Sequence, residues 1–152
     1  MTNPSEEIYV MPSFPMLTAA DVEVSSKWYQ TVLGFRDVFT MAMPGSKPIL
    51  AHLRWVKYAD LLITATRVPD DRPKGVGVNL YFQMLESGRT VDELAETARS
   101  KGATVVDGPA DKPWNTREVT FADPDGFRLT FSQVKDPGRK FEQVVGKAKG
   151  VV

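Results

Sequence analysis

The chain has 152 residues, 42% of them hydrophobic and 25% charged, with 19 basic side chains against 19 acidic ones. This is one domain's worth of chain, enough to bury about 70% of the unfolded surface. It has no charge excess to attract nucleic acid and no apolar run approaching the length of a membrane span. Cysteine is absent, which excludes disulfides, thiolate nucleophiles and thiolate-bound metals.

Residues 1–11 are polar and read as a loose tail or edge segment. They lack the basic region and apolar core of a secretory signal, so a cytoplasmic protein is expected. Residues 12–19 read as a short first strand, whose Pro12 and Pro15 suit a sheet edge. Asp21 or a neighbour starts a helix. Val22, Ser25, Tyr29, Val32 and Leu33 recur at helical spacing, and Gly34 fits the position just past the helix end. A second strand is expected over 35–43, followed by a turn-rich loop at Met43 to Pro48. Residues 49–56 and 61–68 read as a hairpin around Lys57 to Asp60.

Residues 69–75, PDDRPKG, form a linker, after which the pattern restarts. Residues 76–84 make a strand. Thr90 and Glu93 form a capping box, Val91, Leu94, Ala95 and Ala98 form the buried stripe, and Gly102 ends the helix. Strands at 103–107, 116–122 and 127–133 follow. Around Asp123-Pro124-Asp125-Gly126 the apolar residues alternate with polar ones, which predicts a hairpin with one buried face. Residues 134–152 fall outside the pattern; Phe141, Val144 and Val145 there could form a short amphipathic turn.

The order is therefore βαβββ over 12–68, linker, and βαβββ over 76–133. The two helix-ending glycines stand 68 residues apart and the two hairpin turns 66 apart, which argues for internal duplication within a single α+β domain. A helix covers one face of such a sheet and leaves the other open and concave, a place for a small ligand. Strand alternation then assigns the open faces. In the last strand Phe127, Leu129 and Phe131 pack under the helix, leaving Arg128, Thr130 and Ser132 open. The fifth strand presents Asn79, Tyr81 and Gln83, and the first presents Phe14, Met16 and Thr18. In the third strand His52 and Arg54 lie on one face, and Leu53 and Trp55 on the other; alternation alone does not say which is open, and His52, Arg54 and Trp55 are all candidate ligand-binding residues. Tyr58 in the turn and Trp114 beside Pro113 complete the candidate ligand-binding residues, with Trp114 the strongest because loops before strands frame clefts. Trp28 and Tyr29 are expected to pack or to form an interface.

Three stretches carry a resemblance. Residues 112–133, with a Trp before a strand and a DPDG turn, resemble the C-terminal end of the glyoxalase/bleomycin-resistance/dioxygenase superfamily, the vicinal oxygen chelate fold. Residues 21–35, DVEVSSKWYQTVLGF, look like its first helix, and residues 90–106 like its second helix and the next strand. The resemblance implies two βαβββ modules forming an open, concave mixed sheet. It places the family's metal-ligand positions at Phe14, Asn79, Thr130 and near Leu62 or Thr64. Phe and Leu cannot coordinate a metal, and Asn and Thr are weak neutral donors. The single histidine, His52, lies in a strand the family does not use for metal.

These departures favour a metal-free branch similar to the bleomycin-resistance proteins, with no cofactor. The resemblance to that branch implies a homodimer that sequesters a drug in clefts at the subunit interface. Aromatic and methionine side chains suit a planar apolar ligand. A pI of about 6.6 and arginines on the candidate faces favour a neutral or weakly charged aromatic natural product, such as a quinone-type antibiotic, over a cationic one. Two other readings stand beside this one: a glyoxalase- or dioxygenase-like enzyme acting on a natural-product intermediate, and a structural dimer with a filled cleft. Glu118 and Glu86 are lone candidate bases that nothing in the sequence orients, and Asp123 and Asp125 read as turn formers.

Overall fold

A computed structural model describes residues 7–68 and 70–149, with side chains described as far as Gly146. Residues 1–6 of the expected tail, Pro69 of the linker and residues 150–152 lie outside the described residues. The elements run β1 (Met16–Ala19), α1 (Val22–Trp28, continued as a wider π-helical turn over Tyr29–Leu33), β2 (Arg36–Ala42), β3 (Pro48–Arg54), β4 (Asp60–Ala65), β5 (Asn79–Gln83), α2 (Val91–Ser100), β6 (Thr104–Lys112), β7 (Thr116–Ala122), β8 (Arg128–Val134) and α3 (Phe141–Lys149). They build an α+β fold with two four-stranded mixed sheets of orders β1-β4-β3-β2 and β5-β8-β7-β6. In each sheet the first strand pairs in parallel with the fourth, and the other pairings are antiparallel. The two halves share one topology, as the repeat spacing implies.

The helices begin and end where their capping residues stand. Asp21 caps α1 by accepting from the Val24 N–H at 3.1 Å, and Gly34 ends the helical stretch with a φ of 86°. In α2 the capping box is complete: the Glu93 N–H donates to Thr90 Oγ1 at 3.2 Å, and the Thr90 N–H donates to Glu93 Oε2 at 2.9 Å. Val91, Leu94, Ala95 and Ala98 are all buried. Arg89 donates to the Leu33 carbonyl at 2.6 Å, tying the end of the first helical stretch to the start of the second.

Strand boundaries differ from expectation where glycine and proline sit. The first strand begins at Met16, because Pro12 and Pro15 have no N–H for a ladder. The fifth begins at Asn79, after Gly75 and Gly77 with φ of 68° and 76°. The sixth is longer than expected and runs to Lys112. Gly108 and Pro109 stand just past the expected strand end at 107, yet they form an irregularity inside the strand, and pairing with β7 resumes at Ala110↔Glu118. The tail forms helix α3. Residues 7–10 are not a free tail. Tyr9 donates its hydroxyl to Asp60 Oδ2 and accepts from the Tyr58 N–H at 2.7 Å, while Glu7 pairs with Lys57 at 2.9 Å.

One core serves both halves. Phe35 packs on Phe82 with ring centroids 5.4 Å apart, and Trp55 packs on Phe131 at 4.8 Å. Tyr29 reaches across to donate to Asp123 Oδ2 at 2.7 Å, fixing the DPDG turn, whose Asp123 also accepts the N–H groups of Asp125 and Phe127. Burial pushes the Tyr29 phenol well above its ordinary pKa, and the Asp123 carboxylate adds to this; burial likewise raises Asp123 itself. The helix-bearing faces of the two sheets thus pack together. The opposite faces turn outward, and no strand of one sheet pairs with a strand of the other.

Candidate functional site

Strand register lays out the open face of the first sheet as two rows. One runs Met16, Leu62, His52, Phe39; the other runs Thr18, Thr64, Leu50, Met41. Met16, Phe39 and Met41 are 58%, 53% and 43% exposed. This is a large apolar surface for a folded chain to leave in water. Phe14 lies just before β1 and is also exposed.

At the hairpin end of this face the polar residues are already engaged. Asp60 accepts from Arg54 Nε at 2.7 Å and bonds His52 Nε2 at 2.8 Å, besides accepting from Tyr9. Arg54 is fully buried; its guanidinium lies 4.3 Å from the Tyr9 ring centroid and donates to the Glu7 carbonyl. Arg54 was expected to orient a ligand, but its charge is matched by Asp60 inside the protein. Tyr58 stands exposed in the turn with a φ of 67°. Trp55 is corrected outright: it is 7% exposed, packs against Phe35 and Phe131, and donates its indole N–H to the Gln83 carbonyl at 2.8 Å. It faces the core because it alternates with Arg54 along the strand.

The open face of the second sheet is polar. Asn79, Tyr81 and Gln83 line its β5 edge, exposed as expected. Thr130 is on this face but buried. It donates to Asn79 Oδ1 at 2.9 Å and shares a hydrogen bond with the Thr120 hydroxyl at 2.7 Å. Arg128 is exposed and borders a depression with Gly75, Asn79 and Asp125 at the linker end.

The residue that sequence reasoning undervalued is Glu118. It is nearly buried on the same face. Its Oε1 accepts from Trp114 Nε1 at 2.9 Å, Thr116 Oγ1 at 2.8 Å and Ser132 Oγ at 3.3 Å, and its Oε2 from the Tyr81 hydroxyl at 3.4 Å. Burial raises the Tyr81 pKa, and the neighbouring Glu118 carboxylate raises it further. Trp114 and Tyr81 themselves are about half exposed, so the cluster joins two accessible aromatic rings to one inward carboxylate. The signal for it is present in the sequence: Val119 and Phe121 are the apolar residues of the alternation before the DPDG turn and are buried, so Glu118 and Thr120 lie on the open face. Phe39 and Met41 follow from the same alternation in β2.

The positions where the family resemblance puts metal ligands do not fit a metal. Phe14 and Leu62 carry no donor atom, Thr64 and Asn79 offer only neutral oxygens, and Thr130 already shares its hydroxyl with Thr120 and Asn79. Among the described residues, no group of three or more His, Cys, Asp or Glu side chains could hold a metal ion, and no helix is long and apolar enough to cross a membrane.

Comparison with known proteins gives the same outline. The family model described as Glyoxalase/Bleomycin resistance protein/Dioxygenase superfamily matches residues 12–131. Among solved structures, TioX from Micromonospora sp. ML1 is 22% identical, with 80% of this chain and 96% of that chain covered and a TM-score of 0.62. A glyoxalase/bleomycin resistance protein/dioxygenase from Nocardioides is 23% identical, covering 88% of both chains at 0.61. TnmS3, an antibiotic binding protein from Streptomyces sp. CB03234, is 22% identical, covering 84% and 97% at 0.59. These likenesses establish the fold. No curated protein sequence matches the chain.

Proposed function

The chain belongs to the glyoxalase/bleomycin resistance protein/dioxygenase superfamily, and on that premise we propose that it is a metal-independent binding protein that sequesters an aromatic natural product of the antibiotic type. The observation that carries this reading is the pairing of two unlike open faces on one chain. One presents Met16, Phe39 and Met41 to solvent; the other presents Trp114 and Tyr81 around Glu118. Thioether and aromatic groups adapt to a flat apolar ligand, and a few fixed polar atoms orient it. The likeness to an antibiotic binding protein supports the same reading.

In this proposal the modules are 12–68 and 76–133, and the functional unit is a cytoplasmic homodimer. The two open faces point away from each other within one chain, so a cleft between an apolar and a polar face forms when the first sheet of one copy meets the second sheet of another. Covering the exposed methionines and Phe39 supplies the driving force. The ligand contacts proposed are Met16, Phe14, Asn79, Tyr81, Gln83 and Trp114, with His52, Tyr58, Arg128 and Thr130 at the margins.

The test is a tryptophan-fluorescence titration of EDTA-treated protein against polycyclic aromatic antibiotics, with mass spectrometry of the recovered ligand and sedimentation to give the oligomeric state. Saturable quenching by an unchanged ligand on a dimer is the expected outcome. A new product mass would instead establish the alternative, an enzyme acting on a natural-product intermediate, which draws its support from Glu118 as a carboxylate on the same face. Binding that appears only after a divalent metal is restored would refute the metal-independent reading.

A further inference from the structure

The carboxylate of Glu118 is bonded unevenly. Its Oε1 receives the Trp114, Thr116 and Ser132 donors, while its Oε2 receives Tyr81 at 3.4 Å. That last distance is beyond the 2.5–3.0 Å of an ordinary O–H···O bond. A carboxylate offers about four lone-pair sites, and this side chain is 3% exposed. A buried charge raises the free energy unless it is fully hydrogen-bonded. All four donors are neutral, and Lys112, the lysine whose field reaches both Glu118 and Tyr81, is bonded to Asp107 at 2.9 Å.

Building on the binding function argued above, we propose that Glu118 Oε2 is the specificity-determining acceptor of the site, and that the ligand is a planar aromatic carrying a hydroxyl group directed at it. The two flanking rings are placed for this. The Trp114 indole bonds one carboxylate oxygen and the Tyr81 phenol the other, so the half-exposed rings stand beside the carboxylate, where a stacked ligand would bring its edge. The ligand hydroxyl takes the place of the long Tyr81 bond and forms a short charge-assisted one. An analogue without the donor would seal Glu118 under an apolar surface with only the long Tyr81 bond on Oε2, and a site built around a buried acceptor rejects a ligand that cannot satisfy it.

A matched pair of uncharged probes tests this: 2-(hydroxymethyl)anthraquinone and 2-(methoxymethyl)anthraquinone, titrated by tryptophan fluorescence into the full chain and into E118Q. The unaltered chain should bind the hydroxymethyl compound about tenfold or more tightly than its methyl ether, the ratio expected for one unmet buried acceptor. In E118Q a donor replaces one carboxylate oxygen, and the ratio should fall to about one or invert. Equal binding of both probes to the unaltered chain overturns the role of Glu118 and leaves aromatic binding standing. Binding of neither probe overturns the binding function and this inference with it. A melting curve of E118Q confirms its fold, and the ratio on the unaltered chain decides the question even where that variant does not fold.

Discussion

Phe131 is the residue through which the two halves share a core, and replacing it with alanine tests that arrangement. Its ring is fully buried. It lies 4.8 Å from Trp55 and 6.4 Å from Phe35, both in the first half, and 5.5 Å from Phe82 and 5.9 Å from Phe121, both in the second. Phe→Ala in a packed core costs about 3–5 kcal/mol, since the transfer loss is joined by a cavity that rigid neighbours fill only partly. For a chain of this length each kcal/mol lowers Tm by about 2–4 °C, so a fall of about 6–20 °C is expected. Thermal and urea unfolding should be followed by tryptophan fluorescence and far-ultraviolet circular dichroism together. Trp28 and Trp55 report on the first half and Trp114 on the second. A shared core requires one transition, with both probes moving together and the urea slope unchanged. Two separated transitions, with only the second half lowered, would refute the single core. So would a loss below about 1 kcal/mol, the size of an ordinary surface effect.

Asp60→Asn should cost about 3–5 kcal/mol in urea unfolding, because it removes the buried carboxylate that bonds the Arg54 guanidinium, His52 and Tyr9 together; a shift under about 1 kcal/mol would show that residues 7–10 and this network carry little stability. Alkaline unfolding isolates Tyr29. Its folded pKa is raised well above 10.0, so its contribution is fully present below the unfolded value and is lost as pH rises beyond about 10. Above that point the unaltered chain should lose up to about 1.4 kcal/mol per pH unit more than Tyr29→Phe, and equal slopes would contradict the burial of this phenol. Gly108→Ala should destabilise more than Gly77→Ala. Both have positive φ, at +79° and +76°, but a Cβ at Gly108 would stand 2.3 Å from the Glu118 carbonyl, whereas at Gly77 it meets open space. About 1 kcal/mol is expected for Gly77 and about 2–4 kcal/mol for Gly108, and equal costs would refute the close approach.

The sequence by itself determined the order of the elements from β1 to β8 and the core-facing side of β1, β5, β7 and β8, but it left the core-facing side of β3 open. Local chemistry sufficed there: Asp21, Gly34, the Thr90–Glu93 box and the DPDG turn close their hydrogen bonds within a few residues. The period-two patterns of β5, β7 and β8 sort Phe82, Val119, Phe121, Leu129 and Phe131 from their neighbours without reference to anything distant. Where backbone continuity outweighed a local signal, as at Gly108 and Pro109 within β6, the sequence reading stopped a strand too early.

Only the tertiary structure decided which polar residues are at liberty to meet a ligand. Arg54 and His52 face the open side by alternation, yet Asp60, six and eight residues along the chain, takes both, and Tyr9 comes from the far end of the sequence to join them. Glu118 looked solitary because its donors come from a turn, its own strand and two other strands, at separations of 4, 2, 14 and 37 residues. Alternation tells a side chain's face but not its partners. Partners depend on strand order and register, which are fixed by packing across the whole chain.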